Sequence, residues 1–274
     1  MTRQTHLVSD EMTEELGGEF AAPPPEGWIE LDTRIYTRAK VKAGLVSLAN
    51  DPSAEIDLHA FYAPFEGIRL STNRVYSPQY SNMESLRAVG RDIAAAAAAL
   101  MPDDELDVLA FGCTSAAMAL GTDRVASDIH KHKPGVIVTD PISSILAGLK
   151  ALQATRIAVI TPYIGEVNVG IAELLEACGL TLTSKGFFRI FDDNQRNRVS
   201  LDSYLAAAKT VTRDAPCDAI FISCTAMATA PVIQAIEDAT GIPVVTSNQA
   251  LAWNVMRLGG HAGTTDRFGR LFTV

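Results

Sequence analysis

Cys113 and Cys224 are the residues whose surroundings most suggest chemistry, because each closes an apolar run and is followed by a threonine. The first stands in Asp107-Val-Leu-Ala-Phe-Gly-Cys113-Thr114-Ser115 and the second in Asp218-Ala-Ile-Phe-Ile-Ser-Cys224-Thr225-Ala226. A strand-length apolar run leading into an Ala/Met-rich, helix-forming stretch predicts a thiol at a strand C-terminus and helix N-terminus in both places. Free backbone N–H groups there attract anions and favour the thiolate, the reactive form of cysteine. Two such thiols imply a pair facing one anionic substrate. One would remove a proton or add to carbon, and the other would return a proton. The competing reading, two small buried hydrophobes at strand ends, does not account for the duplicated context.

Holding two such turns over one substrate takes a duplicated scaffold, and the chain is patterned as one. Candidate strands are 43–48, 106–111, 136–139, 157–160, 219–222 and 244–246, alternating with candidate helices 83–100, 142–152, 165–178, 200–212, 230–240 and 249–258. This alternation predicts parallel βαβ units. The strand from Ala43 parallels that from Ile157, and Val136-Ile-Val-Thr139-Asp140 parallels Val244-Val245-Thr246-Ser247-Asn248. The expected fold is α/β, with two pseudo-twofold-related lobes, each a parallel sheet flanked by helices, and the active site in the cleft between them, at the strand C-terminal ends. The expected divisions are an N-terminal extension over 1–35, a first lobe over 36–150 and a second over 151–274, with room for a C-terminal helix to cross over. Glu, Gly and Pro crowd the extension, which suits a flexible arm or a clasp on a second subunit.

A formal net charge of -9 argues against nucleic acid or an anionic membrane surface as partner. No stretch approaches the roughly 20 apolar residues of a membrane span, and Met1–Pro25 has no apolar core of a signal peptide, so a cytoplasmic location is expected. The four cysteines form no C-x-x-C pair, and free thiols in a reducing compartment follow. Cys178, before Gly179, reads as a packed helix residue, and Cys217 as structural. His130-Lys131-His132-Lys133 reads as a surface loop rather than a metal site. No phosphate-binding glycine motif is present. Arg69 and Arg74 could neutralise a carboxylate but read more simply as structural or solvated. The segments 61–80 and 187–198 read as loops that shape the pocket.

In this arrangement the chain resembles the aspartate/glutamate racemase superfamily, in the branch that holds maleate cis-trans isomerase, arylmalonate decarboxylase and the racemase-like proteins of ectoine utilisation. The resemblance runs from about Val41 to Gly260 and rests on the paired Cys-Thr turns with three further matches. Gly44-Leu45-Val46-Ser47-Leu48-Ala49-Asn50 is similar to the segment whose asparagine holds a substrate carboxylate. Thr161-Pro162-Tyr163 is similar to the element that supplies a substrate-binding phenol, and Asp193-Asn194 to the second carboxylate-binding asparagine. Cys113-Thr114-Ser115 departs from the Cys-Asn-Thr of amino-acid racemases, and the presence of Cys113 departs from the single-cysteine arylmalonate decarboxylases.

The resemblance implies a cofactor-independent isomerase or racemase of a small carboxylate or amino-acid-derived substrate. Cys113 would serve as nucleophile or base and Cys224 as proton donor or acceptor. Asn50 and Asn194 would bind carboxylates, and Thr114, Ser115, Tyr163 and Thr225 would stabilise an enediolate. Neither a metal nor an organic cofactor is implied, and a homodimer or higher homo-oligomer is. A decarboxylase protonating an enediolate with Cys224 alone is the alternative enzyme. A non-catalytic small-ligand-binding α/β protein is the alternative of another class.

Overall fold

Strands covered on both faces read as unbroken apolar runs, and two such runs form the centres of this molecule. Val108–Gly112 (β3) and Ala219–Ile222 (β7) are buried at every residue. The computed structural model describes residues 26–29, 31, 39–78 and 80–274. The expected extension over 1–35 therefore lies almost wholly outside the described residues.

Residues 39–274 form one unit with two four-stranded parallel sheets. The first joins Val41–Leu48 (β1), Ile68–Val75 (β2), β3 and Ile137–Thr139 (β4) in the order β2-β1-β3-β4. The second joins Arg156–Thr161 (β5), Thr181–Phe187 (β6), β7 and Val244–Thr246 (β8) in the order β6-β5-β7-β8. The two orders are the same, so the duplication read in the sequence is a duplication of topology. Helices Ala54–Tyr62 (α1), Met83–Ala88 (α2), Ile93–Ala99 (α3), Thr114–Leu120 (α4), Thr122–His130 (α5) and Pro141–Ala151 (α6) accompany the first sheet in sequence. Gly165–Ala177 (α7), Leu201–Thr212 (α8), Ile233–Thr240 (α9) and Ser247–Leu258 (α10) accompany the second.

The last helix of each half crosses to the other. α10 packs against α6, α1, β3 and β4, while α6 touches β8. A strand end from one half thereby faces helices that belong in sequence to the other half, which puts both cysteine turns at one seam.

Several expectations are corrected. β2 and β6 were not expected as strands, and the segment 61–80 is therefore no loop: it holds the end of α1, then β2. Both strands are sheet edges of mostly half-buried, polar-rich residues with no apolar run to mark them. The helix expected over 83–100 is broken by a 3₁₀ turn at Val89–Arg91. Gly90 sits in that turn, where a Cβ would meet Leu120 Cδ2 of α4 at 2.7 Å and require that side chain to shift. His130 ends α5 rather than lying in a loop, and Cys178 is exposed at the C-terminus of α7 rather than packed. Among the described residues, no helix is long and apolar enough to cross a membrane, and no group of three or more His, Cys, Asp or Glu could hold a metal ion.

Candidate active site

The fully buried strand β3 ends at Gly112, where packing is close: a Cβ would meet Leu45 Cδ1 at 2.9 Å and require that side chain to shift. The next residue, Cys113, is in extended conformation and caps α4, its Sγ accepting from the Ala116 amide at 3.4 Å. Ser115 Oγ lies 3.6 Å from the same sulfur. This is the strand-to-helix turn that the sequence predicts.

The second turn is built differently. Cys224 has φ +113°, a conformation that L side chains rarely adopt and that costs about 1–3 kcal/mol. No helix follows it directly, and α9 starts only at Ile233. The backbone groups that a helix would have used are taken from outside. Asp57 of α1 accepts from the Thr229 and Ala230 amides and the Thr229 hydroxyl, and Asn248 of α10 donates to the Thr225 and Met227 carbonyls. Asn248 also donates to Asp57 at 3.0 Å, closing the network. Ser53 Oγ adds a bond to the Ala226 carbonyl at 3.0 Å.

Ser247 ties the turns together. Its Oγ accepts from Thr114 Oγ1 at 2.9 Å and from the Cys224 amide at 3.0 Å. Both cysteines, each 4 % exposed, then line one small cavity with Leu48, Asn50, Asp51, Ser81, Ser115, Tyr163, Asp193, Arg196, Thr225 and Ala226. The free space is about 10 Å³, at the lower limit of what one water needs. Ser81, Tyr163 and Arg196 also wall an adjoining pocket of about 160 Å³.

The residues expected from the sequence distribute unevenly around this cavity. Cys113, Cys224, Asn50, Ser115, Tyr163 and Thr225 line it. Asn50 donates one N–H to the Pro78 carbonyl at 3.0 Å, and the buried Tyr163 hydroxyl meets the side chains of Ser223 and Cys224. Thr114 is buried behind the wall with its hydroxyl committed to Ser247. Asn194 does not reach the cavity: it is exposed, and its amide bonds to Asp192 at 3.1 Å. The 3₁₀ turn Asp193–Arg198 directs its neighbours inward instead. Arg196, 5 % exposed, pairs with Asp193 at 2.7 Å, stacks over the Tyr163 ring at 5.3 Å and brings Nη1 to 4.0 Å from Cys224 Sγ. Arg69 and Arg74 pair with Asp104 and Glu55 and are structural.

Asp51, Ser81, Asp193, Arg196 and Ser247 were missed in the sequence. Asp51 and the Asp193/Arg196 pair sit within two residues of Asn50 and Asn194, and adjacency was their one visible signal.

Burial dominates the electrostatics. It pushes the Cys113 thiol up to about 12, against the Ala116 and Ser115 hydrogen bonds, with Cys224 and Asp51 raising it further. Burial also raises Cys224, but there the Arg196 guanidinium pulls the other way. The thiolate-favouring effect expected of a helix N-terminus is thus outweighed at Cys113. Tyr163 is held well above its ordinary range, first by burial and then by the neighbouring sulfurs.

Two buried thiols, a phenol and a guanidinium around one enclosed cavity at the seam of a duplicated α/β scaffold define a class of protein, and comparison bears on which. Residues 82–272 match the arylmalonate decarboxylase family, and the chain belongs to that family. It is 33% identical to arylmalonate decarboxylase of Bordetella bronchiseptica over 52% of this chain and 60% of that protein. It is 26% identical to maleate isomerase of Nocardia farcinica over 55% of this chain and 63% of that protein. The matched stretch therefore spans about three-fifths of the length of each of these relatives. A mutant of the Nocardia farcinica maleate cis-trans isomerase with a covalently bound succinylcysteine intermediate shares the fold, with a TM-score of 0.78 at 23% identity over 85% of this chain and 98% of that one.

Proposed function

We propose that this protein is a cofactor-independent isomerase or racemase of a small carboxylate, working through Cys113 and Cys224. The observation that carries this reading is that both cysteines border the same enclosed cavity. In racemisation, one thiolate takes the proton from the carbon next to the carboxylate. The electron pair left behind spreads into that carboxylate as an enediolate, and the opposite thiol delivers its proton to the other face. In cis-trans isomerisation, a thiolate adds to one alkene carbon and the π electron pair passes through the other carbon into its carboxylate as an enediolate; the former double bond rotates, and the returning pair re-forms the alkene as the thiolate leaves with the C–S pair. The succinylcysteine of the Nocardia farcinica isomerase supports an addition of this kind.

Arg196 lies on the Cys224 side, which favours Cys224 as the thiolate and Cys113 as the proton donor. This reverses the roles expected from the sequence, although a racemase uses each thiol in both roles over a full cycle. Ser115 and Tyr163 are the cavity donors available to the developing enediolate. We propose, as the family resemblance implies, a homo-oligomer as the working form.

The second reading is a decarboxylase, favoured by the matching family and by the Bordetella bronchiseptica relative. It would release carbon dioxide and protonate the enediolate from one cysteine. Incubation with maleate, aspartate, glutamate, hydroxyaspartate and arylmalonates in deuterated water, followed by proton NMR, separates the two. Deuterium entering the carbon next to the carboxylate without loss of carbon dioxide, or conversion of maleate to fumarate, is the expected result. Carbon dioxide release would replace this reading with the decarboxylase.

A further inference from the structure

Asp51 stands in the cavity wall, 3 % exposed, and the thiol chemistry does not use it. Its Oδ1 caps α1, accepting from the Ser53 and Ala54 amides at 2.8 and 2.9 Å. Oδ2 is buried as well, and the Thr225 hydroxyl meets the carboxyl from the other half of the chain.

Counting hydrogens decides which of these two side chains donates. Thr225 has a single hydroxyl hydrogen. It goes to the Gly112 carbonyl at 3.2 Å, an oxygen that can only accept. None is left for Asp51, so a bond between the two side chains takes its hydrogen from the carboxyl. Asp57 is the contrast: the Thr229 and Ala230 amides, the Thr229 hydroxyl and the Asn248 amide all donate to it, the surroundings of an ionised carboxylate.

The charges around Asp51 agree. Among the described residues no cation pairs with its carboxyl, and an ionised carboxyl buried without one is costly. Arg74 gives its guanidinium to Glu55 and to the Leu48 and Asp51 backbone carbonyls, and Arg196 is paired with Asp193. The other titratable groups that face Asp51 are Cys113, Cys224 and Asp193, none of them positive. Burial raises the carboxyl above its ordinary range, against the Ala54 and Ser53 amides, Thr225 and the field of Arg74.

We propose that Asp51 is a neutral carboxylic acid that positions the two cysteine turns: its Oδ2–H donates to Thr225 Oγ1, so that Thr225 keeps its own hydrogen on the Gly112 carbonyl. The chain of bonds runs from the cap of α1, through the residue after Cys224, to the residue before Cys113. Loss of the Asp51 proton turns the Thr225 hydroxyl towards the carboxylate and strips the Gly112 carbonyl of its donor. It also puts a negative charge near both thiols, which opposes thiolate formation at either. Asp51 acts through Thr225, and the proposal rests on the two-thiol reading only for its bearing on turnover.

Asp51→Asn copies the neutral acid, with an oxygen to cap α1 and an N–H for Thr225, but cannot titrate. Urea unfolding of the full chain reads the proton. The unfolded carboxyl, with its ordinary value of 3.8, is ionised at neutral pH, and the folded one is not. The folded state therefore binds the extra proton, and stability falls as pH rises. From about pH 6 to about pH 7 the unfolding equilibrium constant of wild type should rise about five- to tenfold more than that of Asp51→Asn. The thiols stay protonated over this interval and do not contribute. Asp51→Ser, which still offers an oxygen to cap α1, is the non-titrating reference if Asp51→Asn fails to fold. An excess rise below about fivefold would overturn the proposal, because the folded carboxyl would then be mostly ionised at neutral pH.

The link to the cysteine turns has its own signal. Gly112-Cys113 is the one Gly-Cys step in the sequence, so carbonyl-labelled glycine with amide-labelled cysteine gives a single carbonyl resonance in NMR, that of Gly112. It should hold its position in Asp51→Asn and move in Thr225→Val. A resonance that moves in the first, or stays in the second, would also overturn the proposal. Neither readout needs turnover, so their failure leaves the two-thiol reading to be judged by the cysteine variants alone.

Discussion

Thr225 donates its hydroxyl to the carbonyl oxygen of Gly112 at 3.2 Å, so the residue after one cysteine is bonded to the residue before the other. Ser247 completes the tie by accepting from Thr114 and from the Cys224 amide. The geometry between the two thiols is therefore fixed by short polar links across the seam rather than by apolar packing alone.

Ser247→Ala removes the acceptor for two buried donors and should destabilise the protein by about 1–3 kcal/mol. Urea unfolding measures this directly. Activity should fall as well, because the Cys224 turn loses the bond that holds its amide, and a stability loss without any activity loss would separate the tie from the chemistry.

Asp57 accepts four hydrogen bonds that shape the Cys224 turn. Asp57→Ala leaves the Thr229 and Ala230 amides and Asn248 without this acceptor, and a loss of about 3 kcal/mol or more is expected in denaturant unfolding. A loss below about 1 kcal/mol would mean that water replaces the carboxylate without cost.

The positive φ of Cys224 predicts an inversion of the usual ranking of alanine and glycine. Glycine adopts φ +113° freely and alanine does not. Cys224→Gly should therefore be more stable than Cys224→Ala by about 1 kcal/mol, as read from melting curves, and equal stability would show that the backbone there carries no strain.

Burial of Cys113 links stability to alkaline pH. Below its ordinary value of 9.0 the thiol is protonated in both folded and unfolded chains; from there up to about 12 only the unfolded chain releases the proton. The folded state binds more protons in this window, so stability falls as pH rises, by about 1.4 kcal/mol per pH unit for this one group. Urea unfolding of Cys113→Ser between about pH 9 and about pH 11 should show that much less slope than wild type.

How much of this was legible in the sequence varied with how local its cause was. β3, β7 and β8 are continuous apolar runs, buried throughout, and their positions follow from the residues themselves. β2 and β6 are edge strands without such a run, and only their pairing with β1 and β5 defines them. Cys113 sits where local pattern puts it, as the cap of α4. The turn after Cys224 has the same Ala/Met-rich composition but is no helix, because Asp57 and Asn248, both remote in sequence, take its backbone groups. The site shows the same limit. Asn194 has the right type for a carboxylate ligand, but the 3₁₀ turn that carries it presents Asp193 and Arg196 to the cavity instead.

The central claim is that two thiols act together on one bound substrate. Its most direct test is the turnover rate of wild type, Cys113→Ala and Cys224→Ala with whichever acid exchanges deuterium or isomerises. Each variant should lose about 10²–10⁴-fold in rate, the range for removing a positioned proton-transfer group, while circular dichroism shows the fold intact. A folded variant of either cysteine that turns over within about tenfold of wild type would contradict the two-thiol account.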